Sequence, residues 1–154
     1  MIGQTFYTLI LLSCLIALAW IDRKTLLLPN PLTLGLMLLA MVANFFGFGY
    51  CTFYAGLFGA IFGFGLIYGI DAIYYAFNKK RSIGMGDAKL LGALGAIFGL
   101  GTVVPLFFVA ALGCLLLHLV QFRSFRPASV IAFGPYLCGA GMSFLMYQWW
   151  VLHR

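Results

Sequence analysis

The sequence predicts an all-α integral membrane protein, a bundle of about six transmembrane helices. Of its 154 residues, 64% are hydrophobic and 8% are charged, whereas roughly 25% are charged in an average soluble domain. A helix needs about 20 apolar residues to cross the hydrocarbon core of a bilayer. Four long runs contain no Asp, Glu, Lys or Arg: 1–21, 25–70, 90–122 and 127–152. The whole chain, 1–154, is therefore expected to be a single membrane-embedded domain.

The expected spans follow from the apolar runs and the residues that interrupt them. They are Gln4–Trp20, Leu32–Phe46, Cys51 to between Ile70 and Phe77, Asp87–Leu100, the segment from the Gly101–Pro105 turn to Phe122, and Ser129–Leu152. Pro29 and Pro31 predict a loop, because proline removes a backbone donor and restricts the residue before it. Asn30 or Thr33 is then expected near the start of the second helix. Pro135 is expected to break or kink the sixth span.

Glycines are spaced four residues apart twice in the third span. The pairs are Gly59 with Gly63, and Gly65 with Gly69. This spacing leaves a groove on one helix face in which another backbone can approach closely. Tight helix packing is the expected use of both pairs.

The basic residues predict an orientation in the membrane. Seven lie in the three loops of one side, with Lys89 close by: Arg23, Lys24, Lys79, Lys80, Arg81, Arg123 and Arg126. The other side holds only Arg154. The positive-inside rule places the basic loops in the cytoplasm and the N-terminus outside. The net charge of +6 is thereby explained as a membrane-orientation signal, and no nucleic-acid partner is expected.

No metal site or cofactor is expected from the sequence. The four cysteines, Cys14, Cys51, Cys114 and Cys138, form no Cys-x-x-Cys pair, so the paired ligand spacing of a structural zinc site is missing. They are expected to be buried thiols that behave as small hydrophobes. His118 has no partner at ligand spacing.

Two of the three acidic residues lie where chemistry at a membrane face is expected. Asp22 ends the first span, and Asp87 begins the fourth, just after Gly84 and Gly86. Ionisable residues near lipid are expensive and are functional candidates. If their helices are neighbours, the two carboxyl groups meet at the cytoplasmic edge and cannot easily both ionise, so one keeps a proton while the other acts as a base. This is the machinery of aspartic proteolysis, with a coupled titration that belongs to the pair.

The residues alone leave other interpretations open. Asp22 could pair with Arg23 or Lys24, Asp87 could cap the fourth helix, and Asp71 is expected to pair with a basic residue. The two aspartates could also be ion sites of a small proton-coupled carrier. Carrier sites typically lie at the bilayer midplane in internal repeats, whereas both aspartates lie at span ends.

Three segments resemble the type IV prepilin peptidases, which are membrane aspartic peptidases. Residues 84–99, GMGDAKLLGALGAIFG, resemble the family signature of Gly-x-Gly-Asp followed by x-Lys-Leu and a glycine-spaced helix. Residues 22–33, DRKTLLLPNPLT, resemble its first aspartate segment, and residues 132–137, AFGPYL, resemble its Phe-Gly-Pro-Phe/Tyr-Leu motif. The motifs occur in the family's order and cover nearly all of the chain.

The resemblance implies that Asp22 and Asp87 are the catalytic pair. Members of the family cut the basic leader from prepilins or pseudopilins at the cytoplasmic face of the bacterial inner membrane, for pilus biogenesis or type II secretion. Gly84 and Gly86 would let the backbone pack closely near Asp87. Pro29, Gly134 and Pro135 are expected to shape the backbone. Lys89 is expected to be an interfacial or packing charge, with a substrate contact as the alternative.

One feature of many family members is missing here. They carry a cytoplasmic insertion between the first two spans, with paired cysteines that bind zinc and an association with N-methylation of the product. In this chain Asp22 follows the first span directly and the cysteine pairs are absent. The resemblance therefore implies peptidase activity in a minimal core, natural or truncated, but not methyltransferase activity. An inactive relative that assists assembly of a secretion apparatus is the remaining alternative.

Overall fold

Six α-helices make up most of the part of the chain that the computed structural model describes, which is residues 2–25, 28–79, 84–121, 133–152 and 154. They are α1 (Ile2–Thr25), α2 (Asn30–Phe45), α3 (Phe53–Asn78), α4 (Met85–Phe98), α5 (Leu100–Gln121) and α6 (Gly134–Leu152). Segments of α1, α3 and α5 are long and apolar enough to cross a membrane: Gly3–Thr25, Phe53–Asn78 and Leu100–Leu117. The predicted all-α membrane class is confirmed.

The shortest helix, α4, lies at the centre of the fold. It packs against α2, α3, α5 and α6, and its residues from Leu90 to Phe98 are all buried. Its 14 residues extend about 21 Å at 1.5 Å per residue, less than the roughly 30 Å of a hydrocarbon core. Because other helices surround α4, its end is shielded from lipid by protein.

Polar side chains from the end of α2 and from the α2–α3 connection satisfy the last carbonyl groups of α4. Asn44 Nδ2 donates to Ala96 O at 2.8 Å, and Cys51 Sγ lies 3.5 Å from Ile97 O. The last carbonyls of a helix have no partner within it, so these bonds allow α4 to end inside the protein. Cys51 is thus a hydrogen-bonding group rather than the simple hydrophobe that the sequence suggests, whereas Cys138 is fully buried as expected.

Glycines hold α3 and α4 in the closest helix contact of the fold. A Cβ atom at Gly63 would lie 2.7 Å from Leu91 O, and one at Gly92 would lie 3.1 Å from Ala60 O. A Cβ atom at Gly95 would overlap Gly59 O. The first glycine pair of α3 therefore packs as predicted. The second pair does not, because nothing lies within 4 Å of a Cβ placed at Gly65 or Gly69.

Two predicted helix breaks are located differently in the structure. The predicted turn at Gly101–Pro105 is wrong: α5 already begins at Leu100, and the chain reverses at Gly99, whose φ is +85°. Pro105 is the sixth residue of α5 and lies inside that helix, where it lacks the backbone N–H that other residues donate. Pro135 lies in the first turn of α6, which begins at Gly134, and proline fits there without a kink. The predicted start of this span, 129–132, lies outside the described residues.

Four of the basic residues named above lie outside the described residues: Lys80, Arg81, Arg123 and Arg126. The side chain of His118 does as well. Within the described part, the chain turns after α2 at Gly47, whose φ is +76°.

Candidate active site

Asp22 lies near the end of α1 on the buried face of that helix. Leu11, Leu15 and Leu18 share this face and are fully buried, and Asp22 itself is 4% exposed. Its Oδ2 atom is buried and has no hydrogen-bond partner among the described residues. A buried carboxylate oxygen without a partner is costly, so this atom is a candidate for function.

The neighbouring lysine does not neutralise Asp22. Lys24 Nζ lies 4.8 Å from the ring centroid of Trp20 on the same helix, and Lys24 is exposed. This geometry is a cation–π contact. Pairing of Asp22 with Lys24 is thus not the arrangement that the structure shows.

Asp87 is the third residue of α4. The residue that caps the helix is Gly84, and the backbone N–H of Asp87 donates to Gly84 O at 3.1 Å. The alternative in which Asp87 caps the helix is therefore wrong. A carboxylate in the first turn is favoured by the helix dipole, and Asp87 is partly exposed there.

Gly134 lies against both carboxyl groups. A Cβ atom at this position would overlap Asp22 Oδ2 and would lie 2.8 Å from Asp22 Cγ and 3.3 Å from Asp87 Oδ1. Asp22 Oδ2 and Asp87 Oδ1 both lie close to the position of this Cβ atom, so these two oxygens are no more than about 6 Å apart. The structure thus brings the predicted pair together, although 64 residues separate Asp22 from Asp87 in the chain.

The start of α6 forms the third side of this site. Pro135 lies in the first turn of α6, where its fixed φ is compatible with a helix and its missing N–H has no bond to lose. Cys138 follows Gly134 by four residues, so it lies one turn further along the same helix face, and it is fully buried. Sequence reasoning did not place Cys138 near the site; its spacing from Gly134 was the available signal.

The connection between α1 and α2 crosses the first turn of α4. A Cβ atom at Gly86 would lie 2.9 Å from Leu28 Cβ, so a larger residue at position 86 would displace this connection. Pro29 is the residue that caps α2, and its carbonyl accepts from Leu32 N at 3.1 Å. Gly84 is more open, since a Cβ there would lie 3.8 Å from Asp87 Oδ2.

Lys89 contacts the same connection. Its Nζ donates to Asn30 Oδ1 at 2.7 Å, which joins α4 to the first residue of α2. The expected interfacial or packing role of Lys89 stays a prediction. Asn30 lies at the start of α2, as the sequence predicted.

The arrangement suits general acid–base chemistry by two carboxyl groups. Among the described residues, no cluster of three or more His, Cys, Asp or Glu side chains is placed to hold a metal ion. A protonated carboxyl group can donate to a carbonyl oxygen, while its ionised neighbour takes a proton from water. Sites of this kind hydrolyse amide bonds.

The chain matches a protein-family model. The model of the type IV leader peptidase family, Peptidase_A24, matches residues 9–119 of the chain. This segment contains Asp22 and Asp87. No solved structure matches the chain.

Curated relatives carry the name prepilin leader peptidase/N-methyltransferase. One from Pectobacterium carotovorum is 39% identical over 139 residues, which are 87% of this chain and 48% of the relative. One from Escherichia coli K12 is 34% identical over 137 residues, 88% of this chain and 60% of the relative. One from Neisseria gonorrhoeae is 31% identical over 157 residues, 94% of this chain and 52% of the relative. The chain thus spans about half the length of the curated relatives it matches.

Proposed function

The chain belongs to the type IV leader peptidase family, and from this we propose that it is a membrane aspartic endopeptidase that removes the leader peptide of prepilins or pseudopilins. The observation that carries the proposal is the meeting of Asp22 and Asp87 at Gly134. The names of the relatives support the substrate class. Neither the family nor this geometry favours the carrier or the inactive relative.

In the proposed reaction the two carboxyl groups share one proton. The ionised carboxylate takes a proton from a water molecule, whose oxygen then attacks the carbonyl carbon of the scissile peptide. The protonated carboxyl group donates to the carbonyl oxygen. The tetrahedral intermediate collapses as the carboxyl group that took the proton from water passes it to the amide nitrogen, and the C–N bond breaks. The proton on the former carbonyl oxygen returns to the other carboxylate, which restores the pair with one shared proton. Asp22 Oδ2 has no hydrogen-bond partner among the described residues, so it is available to accept from the water or the substrate.

We place this reaction at the cytoplasmic face of the bacterial inner membrane. The support is the distribution of charge: Arg23 and Lys24 follow Asp22 directly, and Lys79 ends α3. Positive residues next to spans mark the cytoplasmic side. A leader that is cut beside a hydrophobic helix presents its scissile bond at the membrane surface. The site and such a bond would therefore lie at similar depth, with membrane lipid around the helices.

The proposal covers leader cleavage and does not extend to methylation. The relatives' names include N-methyltransferase, but the paired cysteines associated with that activity are absent from this sequence. The expected product is a shortened pilin with an unmodified N-terminus, unless another enzyme in the same cell adds the methyl group.

Cleavage is tested by co-expression with a prepilin in cells that lack their own leader peptidase. We expect the wild-type chain to convert the precursor to a shorter product whose mass fits removal of the basic leader and lacks an added methyl group. Cells with an empty vector should keep the precursor. If none of a panel of prepilins and pseudopilins is shortened while the protein is present and folded in the membrane, the proposed function is wrong.

A further inference from the structure

The first turn of α4 is held at two points on either side of Asp87. We refer to Leu28–Asn30 as the strap. Leu28 packs against Gly86, the residue before Asp87, so closely that a Cβ atom at position 86 would lie 2.9 Å from Leu28 Cβ. Asn30 accepts a 2.7 Å hydrogen bond from Lys89, two residues after Asp87. The strap therefore contacts the backbone turn that carries the carboxyl group.

The bond between Lys89 and Asn30 forms where helix electrostatics opposes a cation. Lys89 is the fifth residue of α4 and Asn30 is the first residue of α2, so the ammonium group lies near the N-terminal ends of two helices. Helix N-termini favour anions and disfavour cations. The bond is charge-assisted, which makes it stronger than a bond between neutral groups, and it lies at an exposed position.

Asn30 also gives up a local role for this bond. Asparagine is a favoured residue for capping helices, yet the residue that caps α2 is Pro29 and no side chain makes a capping bond there. The Asn30 amide instead reaches across to α4. Lys89 thus departs from the arrangement that its own helix would favour, and the Asn30 side chain makes a tertiary contact in place of a capping bond.

The strap also connects the helix that carries Asp22 to the helix that carries Asp87. Leu28 follows Asp22 by six residues, and α1 and α2 are in contact. A shift of the strap against α4 would change the separation of the two carboxyl groups. Misplacement of a catalytic group by about 1 Å can cost on the order of 100-fold in rate.

We propose that Lys89 and Asn30 are a positioning pair, whose hydrogen bond clamps the strap across the first turn of α4 and so holds Asp87 at working distance from Asp22. Neither residue touches the reacting atoms. The kinetic part of this inference rests on the proposed peptidase function, whereas the geometric part does not.

The kinetic test compares two lysines that each follow an aspartate by two residues. Lys89→Met and Asn30→Ala should each lower kcat about tenfold with little change in KM, since an orienting contact is lost. The double variant should be no worse than either single variant, because both remove one interaction. Lys24→Met is the matched control and should keep wild-type kcat, since Lys24 contacts Trp20 of its own helix.

Asn30→Asp separates positioning from a general effect on folding. An aspartate would keep an acceptor for Lys89 and suits a helix N-terminus, so this variant should retain wild-type kcat where Asn30→Ala does not. A rise in KM at constant kcat for Lys89→Met would make Lys89 a substrate contact and would overturn the proposal. Wild-type kcat in both Lys89→Met and Asn30→Ala would also overturn it.

A second readout needs no catalysis. Asp22→Cys and Asp87→Cys are combined in a chain whose four native cysteines are replaced by serine, and a short bifunctional thiol reagent is added in membranes. Adding Lys89→Met should reduce the cross-linked fraction severalfold, while adding Lys24→Met should not. Equal cross-linking in all three proteins contradicts the positioning pair, even if the chain that keeps both aspartates cleaves prepilins normally. If that chain cleaves no prepilin but cross-linking of the cysteine variants depends on Lys89, the positioning pair is retained and the proposed function is rejected.

Discussion

Gly134 shows how much the paired carboxyl groups depend on one small residue. The α6 backbone reaches Asp22 and Asp87 so closely that no side chain fits between them. A glycine here is required by this close approach rather than by an unusual φ angle, because Gly134 is not among the glycines with positive φ. Without a side chain at position 134, the first turn of α6 can form one wall of the site.

We therefore expect Gly134→Ala to reduce cleavage by about 100-fold or more, since its Cβ would displace the Asp22 carboxyl group. The matched control is Gly139→Ala on the same helix, where a Cβ meets nothing within 4 Å. That variant should keep wild-type activity. Initial rates on one prepilin, with protein levels checked by blotting, provide the comparison. Equal rates for the two variants would show that position 134 does not border the working site.

The aspartates were predictable from the sequence. For Gly134 the sequence implied a role in shaping the backbone, but not its contact with both carboxyl groups. An acidic residue is rare in this chain, and that scarcity identifies Asp22 and Asp87 as candidates. The contact with Gly134 joins three helices whose residues are far apart in the chain, and no local pattern encodes it. The bond between Lys89 and Asn30 was missed for the same reason. Asn30 was expected near the start of α2, where it lies, but its bond to α4 is a tertiary contact that no local pattern encodes.

The close glycine contacts between α3 and α4 support the site. We refer to these residues, Gly59, Gly63, Gly92 and Gly95, as the glycine seam. These two helices carry the closest backbone contacts of the fold, at Gly59 with Gly95 and at Gly63 with Leu91. Without a strong hydrophobic drive between helices in lipid, such packing supplies much of the association. The seam fixes the axis of α4 and hence the level at which Asp87 lies.

Two α3 variants test the seam. Gly63→Ala should lower the free energy of unfolding by about 1–3 kcal/mol, because its Cβ would press on a backbone carbonyl. Gly65→Ala should be neutral or slightly stabilising, since its Cβ enters open space and alanine favours a helix. Thermal unfolding in one detergent measures both. A lower unfolding temperature for Gly65→Ala than for Gly63→Ala would contradict the packing described.

The two glycine pairs of α3 also show what the spacing of glycines does not predict. Both pairs have the spacing that favours close helix contact, and only the first pair makes one. Gly65 lies two residues after Gly63, which is about 200° around a helix of 3.6 residues per turn. The second pair therefore faces away from α4. Spacing predicts a groove, whereas the direction of that groove depends on where the other helices pack.

Across the whole molecule, charged and aromatic residues mark two levels, one near the site and one at the far end of α6. Lys24 lies over Trp20 near the site, and Arg154 lies 4.4 Å from the ring centroid of Trp150 at the far end of α6. Trp150 follows Gly134 by 16 residues, which is about 24 Å along a helix. Tryptophans of this kind are typical of the two membrane interfaces.

The proposed orientation is tested by thiol labelling of intact cells. Lys79→Cys and Arg154→Cys are introduced separately into the chain whose native cysteines are replaced by serine. A membrane-impermeant maleimide should label Arg154→Cys from outside and label Lys79→Cys only after lysis. The charge asymmetry of the loops is the reason for this expectation. The reverse labelling pattern would place the aspartates on the outer side and would exclude a cytoplasmic site.

The most direct test of the paired-aspartate mechanism is the cleavage rate of purified, reconstituted protein carrying Asp22→Asn, Asp87→Asn or both. Residues that act as one catalytic unit are strongly non-additive. Each single variant should therefore lose activity by about 1,000-fold or more, and the double variant should be no slower than either. Wild-type processing by Asp22→Asn or by Asp87→Asn would contradict the mechanism.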